Sequence, residues 1–240
     1  MPMPVKLVGG GAVQPAAEQT VGPLFGAGRT ELRPLDYTYG NQVLGHYRAT
    51  LGPTGTTVSV TAKSILAYGR WAVSNAFMVL MRASVLSSYV AATITTGTIV
   101  DCALYVRRGS TAAGSGGNAV TTGGSNQKNR VLMGASQLSD LRFASTGALT
   151  APTSGTQDAN PIGYTLLPAT FQTTAPASGT PVTATIQFGP IDLYKWDTLG
   201  QHPIVLTSGE DIEFCEFTAG PATGGIAFSF LLEWAEVAVF

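Results

Sequence analysis

Large apolar side chains alternate with smaller or polar ones along residues 225–237, near the C-terminus of the chain. The large set consists of Ile226, Phe228, Phe230, Leu232 and Trp234. Successive side chains of a strand point to opposite faces of its sheet, so this spacing places all five on one face. The pattern predicts a β-strand whose core face is built from these residues.

A hairpin is predicted immediately before this strand. Apolar residues recur over residues 203–207 and 212–217, and the sequence S-G-E-D at residues 208–211 separates the two segments. Residue types of this kind favour a tight connection between strands. The C-terminal part of the chain is therefore predicted to form three consecutive strands.

Short apolar or alternating segments recur through the rest of residues 41–240, between clusters of Gly, Pro, Ser and Asn. This spacing is typical of an antiparallel β-sandwich, and we expect an all-β domain over residues 41–240. Residues 72–86 contain enough Ala, Met and Leu to allow a helix as well. Candidate strands lie near residues 42–50, 56–62, 72–83, 98–107, 137–143, 183–188, 202–207, 212–217 and 225–237.

Residues 1–40 have neither a helical nor a strand period, and five prolines interrupt them. We expect a long extended N-terminal arm, which at full extension would span ~130 Å and reach an adjacent subunit. The alternative is that the arm folds back over its own domain. Apolar residues scattered through the arm are the expected assembly anchors: Val21, Leu24, Phe25, Leu32, Leu35, Tyr37 and Tyr39.

Two long segments lack strand alternation, residues 109–130 and residues 145–178. The first is rich in Gly, Ser, Thr and Asn, and the second in Pro, Thr and Ala. Loops of this length are uncommon in a compact domain and are usually functional or disordered. They are expected to be surface loops available for contact, although Gly/Ser flexibility explains the first equally well.

The chain is poor in charge, because only 11% of its residues are charged while 45% are hydrophobic, and its net charge is −1. A neutral surface favours association, and one interpretation is that neighbouring subunits cover much of it. The alternative is a stable monomer kept soluble by Thr and Ser. No basic field is present to attract nucleic acid or an anionic membrane, so neither partner is expected.

Residues suited to catalysis or metal binding are scarce. His46 and His202 lack suitably spaced partners, so no metal, cofactor or enzymatic activity is expected. Tyr194 and Trp196 are predicted interface anchors, with stacking on a sugar as the alternative. Cys102 and Cys215 are expected to be buried, and a bond between them would require neighbouring strands.

Several segments resemble β-rich virion proteins of tailed bacteriophages, of the capsid decoration, cement or minor capsid type. The resemblance lies in Y-V-R-R-G-S-T-A-A-G-S-G-G-N-A at residues 105–119, N-Q-K-N-R at 126–130, L-S-D-L-R-F-A-S-T-G-A-L-T at 138–150, H-P-I-V-L-T-S-G-E-D at 202–211 and L-E-W-A-E at 232–236.

This resemblance implies a jelly-roll-like sandwich, assembled as a homotrimer on the major capsid protein, with no catalytic residues and no cofactor. The expected location is the virion, assembled in the host cytoplasm. A tail, collar or fibre-base protein is the alternative within the particle. A carbohydrate-binding sandwich is the alternative from another class.

Overall fold

The computed structural model describes residues 43–54, 61–92, 100–121, 134–138, 140–145, 148–167, 190–196, 202–220 and 225–238. The chain divides into two compact units, Met1–Asn41 and Gln42–Phe240, and every described residue belongs to the second. The predicted arm and its seven anchors therefore lie outside the described residues. Within the described residues all regular structure is β-strand and no helix occurs.

The described residues contain twelve strands, which form two antiparallel sheets. In chain order they are β1 (Val43–Leu51), β2 (Ile65–Trp71), β3 (Phe77–Ala92), β4 (Val100–Arg108), β5 (Asn118–Ala119), β6 (Asp140–Phe143), β7 (Thr156–Gln157), β8 (Gly163–Leu167), β9 (Ile191–Lys195), β10 (Ile204–Leu206), β11 (Glu210–Cys215) and β12 (Gly225–Val237).

The strand pairing is that of a jelly roll. Early strands pair with late ones in nested order: β1 with β12, β2 with β11, β3 with β10, and β4 with β8. The first sheet has the order β1-β12-β3-β10, with β9 also on β3; the second has the order β5-β6-β2-β11-β4-β7, with β8 also on β4. An antiparallel ribbon rolled into two facing sheets produces this arrangement. The predicted antiparallel, jelly-roll-like sandwich is therefore confirmed.

The hydrophobic core lies between the two sheets. The five alternating residues of β12 all belong to it, and each is at most 2% exposed. Phe230 meets Phe214 of the opposite sheet with ring centroids 4.6 Å apart, and Trp234 stacks on Tyr47 of β1 at 5.7 Å. Burial of a side chain of this size contributes roughly 1.5–3 kcal/mol, so β12 provides a large share of the stability.

Several strand predictions need correction. The helical alternative for residues 72–86 is wrong, because β3 is a long strand that begins at Phe77 and pairs with β12 along its length. β2 was not predicted, since it is buried on both faces and so lacks alternation. Short strands also occur inside both predicted loops, namely β5, β7 and β8. Predicted strand segments 56–60 and 183–188 lie outside the described residues.

Candidate functional site

The outer face of the second sheet is covered by the chain's own long connections. Isolated bridges join Ala112 to Thr153 and Ser115 to Thr150, and Leu149 bridges to Ile65 of β2. A second apolar cluster forms beneath this cover, from Ile65, Tyr68, Ala103, Tyr105, Ala144, Leu149 and Cys215. These parts of the two predicted contact loops therefore pack on their own sandwich.

Two acidic residues of β11 are buried under this cover. Asp211 and Glu213 alternate with the core residue Ile212, so their side chains point to the outer face, and both are 0% exposed. Strand register places Arg107 of β4 opposite Asp211 and next to Glu213. Arg107 Nε donates to Glu213 Oε1 at 2.6 Å, and Arg107 Nη2 donates to Glu213 Oε2 at 3.4 Å. This is a partly buried, forked ion pair.

Asp211 is less closely paired with an arginine than Glu213 is. Arg70 Nε lies 3.7 Å from Asp211 Oδ1, close enough for an ion pair but too long for a hydrogen bond. Ser110, from the covering segment, donates its hydroxyl to Asp211 Oδ2. Burial raises the pKa of Asp211 to about 7, and the Ser110 hydrogen bond opposes the shift. Because Asp211 is fully buried, this carboxyl is a structural group with no access to an external substrate.

A third buried carboxylate organises the segment that follows β11. Asp101 of β4 is 1% exposed and accepts hydrogen bonds from Phe217 N at 2.8 Å and Thr218 Oγ1 at 2.8 Å. Thr218 N and the Tyr164 hydroxyl donate to it at 3.2 and 3.4 Å. Asp101 therefore ties the chain after β11 to strand β8.

Glu216 lies beside this anchor. It is 3% exposed, and its Oε2 has no hydrogen-bond partner in the described part of the chain. Burial first, and then the negative charge of Asp101, raise the pKa of Glu216 to about 8. The Glu216 carboxyl is therefore protonated near neutral pH. Its neutral form avoids repulsion from the buried negative charge of Asp101.

Three exposed apolar side chains lie over the Asp101 anchor. Tyr164 and Leu166 of β8 are 45% and 58% exposed, and Phe217 is 40% exposed. The Tyr164 and Phe217 rings meet edge to face, with centroids 5.0 Å apart. We call these three residues the edge patch. Its apolar exposure and its position on an edge strand make it the best candidate interaction surface among the described residues.

The sequence did not indicate the edge patch, because β8 is only five residues long and lies within the predicted loop 145–178. The local alternation of Gly163, Tyr164, Thr165 and Leu166 is the one signal that could have revealed it. Phe217 lies near β8 because β11 and β8 both pair with β4. Sequence periodicity does not indicate contacts between such distant parts of the chain.

The two predicted aromatic anchors lie elsewhere. Tyr194 of β9 is half-buried against the core, and its hydroxyl accepts a hydrogen bond from Ile204 N at 3.1 Å. Trp196 is half-buried, and its backbone N donates to Met81 O at 2.8 Å. The structure therefore holds Tyr194 within its own subunit, while part of Trp196 remains accessible.

The remaining candidate residues are the two histidines. His46 is half-buried on β1 and His202 is exposed. No group of three or more His, Cys, Asp or Glu in the described residues could hold a metal ion. The described segments also contain no helix with the length and apolar character to span a membrane.

The two cysteines are unbonded and buried. Cys102 belongs to the core between the sheets, and Cys215 belongs to the cluster on the outer face. They lie on neighbouring strands, since Cys215 pairs with Ala103, but their side chains are on opposite faces of the sheet. Neighbouring strands alone are therefore not sufficient for a disulfide here.

Comparison with known proteins identified no relative. No family model matches this chain, and neither does any curated protein or solved structure. The jelly-roll fold, the edge patch and the sequence patterns described above are thus the basis for assigning a function.

Proposed function

We propose that this chain is a non-enzymatic structural protein of a tailed-bacteriophage particle, a capsid decoration or cement protein that stabilises the head through contacts between subunits. The observation that carries the proposal is the jelly-roll pairing of its strands, an architecture used by viral capsid domains. Fold alone does not define function, because jelly rolls also occur in lectins. The sequence segments that resemble phage virion proteins favour the virion.

The use of charge within the fold supports a role in assembly. Arginines and carboxylates of the described residues neutralise each other in pairs: Arg82 with Asp192, Arg107 with Glu213, Arg108 with Asp158 and Glu210, and Arg142 with Asp140. In a chain with few charged residues, ion pairs within the subunit thus cancel much of the charge. Pairing of this kind reduces the net charge that the subunit presents, which favours contact with other protein copies.

The predicted arm supplies the attachment in this proposal. Its apolar anchors would bury surface against a neighbouring copy, in a homotrimer, or against the major capsid protein. Each Å² of buried apolar surface contributes roughly 25 cal/mol, and repetition over many equivalent copies multiplies the effect. A small contact per subunit is therefore enough to stabilise a large particle.

Purified virions of the phage that encodes this chain provide the test. Mass spectrometry should detect the chain in particles that remain intact through a density gradient, and immunogold labelling should place it on the head. Labelling at the tail, collar or fibre base would select the alternative within the particle. Absence of the chain from purified particles would refute a virion role.

A carbohydrate-binding role is the second candidate, since the exposed part of Trp196 could stack on a sugar ring. A glycan array should then show binding by the wild-type chain. Trp196→Ala should abolish that binding without changing the circular dichroism spectrum. No binding on the array would exclude this candidate for the glycans present.

A further inference from the structure

Strand β8 lies at the edge of its sheet within the described residues. It pairs with β4 on one side, and no strand in the described residues pairs with its other side. Natural edge strands usually carry a Lys, a Pro or an inward charge that prevents pairing with another chain. The sequence of β8, G-Y-T-L-L, contains none of these. Among the described residues, nothing therefore occupies the edge at which a further strand could pair with β8.

Two of the three edge-patch residues, Tyr164 of β8 and Phe217 after β11, are anchored to the same buried group. Asp101 accepts hydrogen bonds from the Tyr164 hydroxyl and from the backbone of Phe217, so one buried carboxylate anchors two of the three patch residues. The aromatic contact between these two rings restricts them further. A surface ordered before binding loses little entropy when a partner arrives.

We propose that a second copy of this chain pairs with β8 in antiparallel orientation, about a two-fold axis that passes beside Thr165. This register places Tyr164 opposite Leu166 of the second copy, and Leu166 opposite Tyr164 of the second copy. The strand is thus complementary to itself, as an isologous contact requires. Aromatic and aliphatic side chains facing each other across strands stabilise such a pair.

The charges near β8 do not oppose this contact. Asp158, which precedes the strand, is paired with Arg108 at 3.3 Å, and Lys63 Nζ donates to Ala159 O at 3.2 Å. A two-fold contact brings like residues together, so an unpaired charge at the edge would repel its own copy. The neutral strand avoids this penalty, which favours a second copy over a strongly charged partner.

The contact joins two seven-stranded sheets into one continuous sheet, with the edge patches of both copies on the same face. Its area is small, because one short strand and three side chains take part. We therefore expect a concentration-dependent dimer that repetition in a larger assembly would strengthen. This inference does not depend on the virion assignment, since the purified chain alone tests it.

Light scattering after size-exclusion chromatography tests the pairing. The molar mass of the full wild-type chain should rise with its concentration, and Leu166→Lys should show a smaller mass over the same range because its β8 contact is lost. Leu44→Lys is the matched control, because Leu44 is 40% exposed and lies on β1, away from β8. Thermal melts should be the same for both variants. A wild-type mass that does not rise with concentration, or an equal rise in Leu166→Lys, would refute the proposal.

A cysteine at the axis tests the register. Facing residues of antiparallel strands have Cα atoms about 4.5–5.5 Å apart, within disulfide range. Thr165→Cys should therefore form a covalent dimer under mild oxidation, while Thr50→Cys, on an exposed position of β1, should not. Cys102 faces Thr165 across the β4–β8 pair and would compete for the new thiol, so both cysteine variants are made in a Cys102→Ala background. Failure of Thr165→Cys to cross-link, or equal cross-linking by Thr50→Cys, would contradict the pairing.

Discussion

Glu216 couples the stability of the fold to pH. Its pKa is raised from 4.5 to about 8 in the folded chain, so the folded state retains a proton that the unfolded state releases above pH 4.5. Stability therefore falls as pH rises from about 4.5 to about 8 and remains low above that range. Burial of Asp211, whose pKa is raised to about 7, acts in the same direction.

Glu216→Gln isolates the contribution of Glu216, because glutamine stays neutral at every pH. The variant should be more stable than wild type at pH 9 by about 1–3 kcal/mol, with little gain at pH 5. Urea unfolding at the two pH values measures the difference. Glu233→Gln, which removes a half-buried carboxyl of β12, is the matched control for the loss of one carboxylate. An identical pH dependence in wild type and Glu216→Gln would contradict this account.

Arg107 balances a fully buried negative charge. Its removal in Arg107→Met would leave Glu213 without its ion-pair partner and Gly155 O without its donor, so we expect a loss of roughly 3–5 kcal/mol. Arg108→Met is the matched control, because the Arg108 side chain is 57% exposed and its ion pairs should contribute at most about 1 kcal/mol. Chemical denaturation compares the two. Similar losses would show that burial of the pair is unimportant.

At the scale of elements, the sequence predicted strands that have one buried and one polar face. β12 matches its predicted range of residues 225–237, because large apolar side chains alternate over residues 226–234, most of its length. β2 was not predicted, since its covered outer face removes the polar half of the pattern. The buried carboxylates were also not predicted as a group, because Asp101 meets Thr218 only through pairing of strands far apart in sequence.

Aromatic residues of the core and of the edge patch should differ in how much they contribute to the stability of the fold. Phe230 is fully buried and contacts both Phe214 and Phe228, so Phe230→Ala should cost about 3–5 kcal/mol by leaving a cavity. Phe217 is 40% exposed, and Phe217→Ala should cost at most about 1 kcal/mol in the unfolding free energy while weakening the β8 contact. Denaturation and light scattering measure the two effects separately. A large stability loss in Phe217→Ala would assign that residue to the core.

At the scale of the whole molecule, the two proposed contacts have different symmetry. Pairing through β8 would be isologous and join two copies, whereas the arm contact of the proposed homotrimer would be heterologous and close into a ring. Two-fold contacts between three-fold rings extend over a surface, which is the arrangement that a coat on a capsid needs. Each contact can be small because the assembly repeats it.

Deletion of residues 1–39 separates the arm from the sandwich. The compact unit Gln42–Phe240 includes both apolar clusters of the described residues, so the truncated chain should fold and retain concentration-dependent dimerisation through β8. It should lose attachment to capsids, because the predicted anchors are removed. Thermal melts and co-sedimentation with capsids that lack the protein measure the two properties. Attachment equal to that of the full chain would refute the clamp, and a truncated chain that does not fold would indicate that the arm stabilises its own domain.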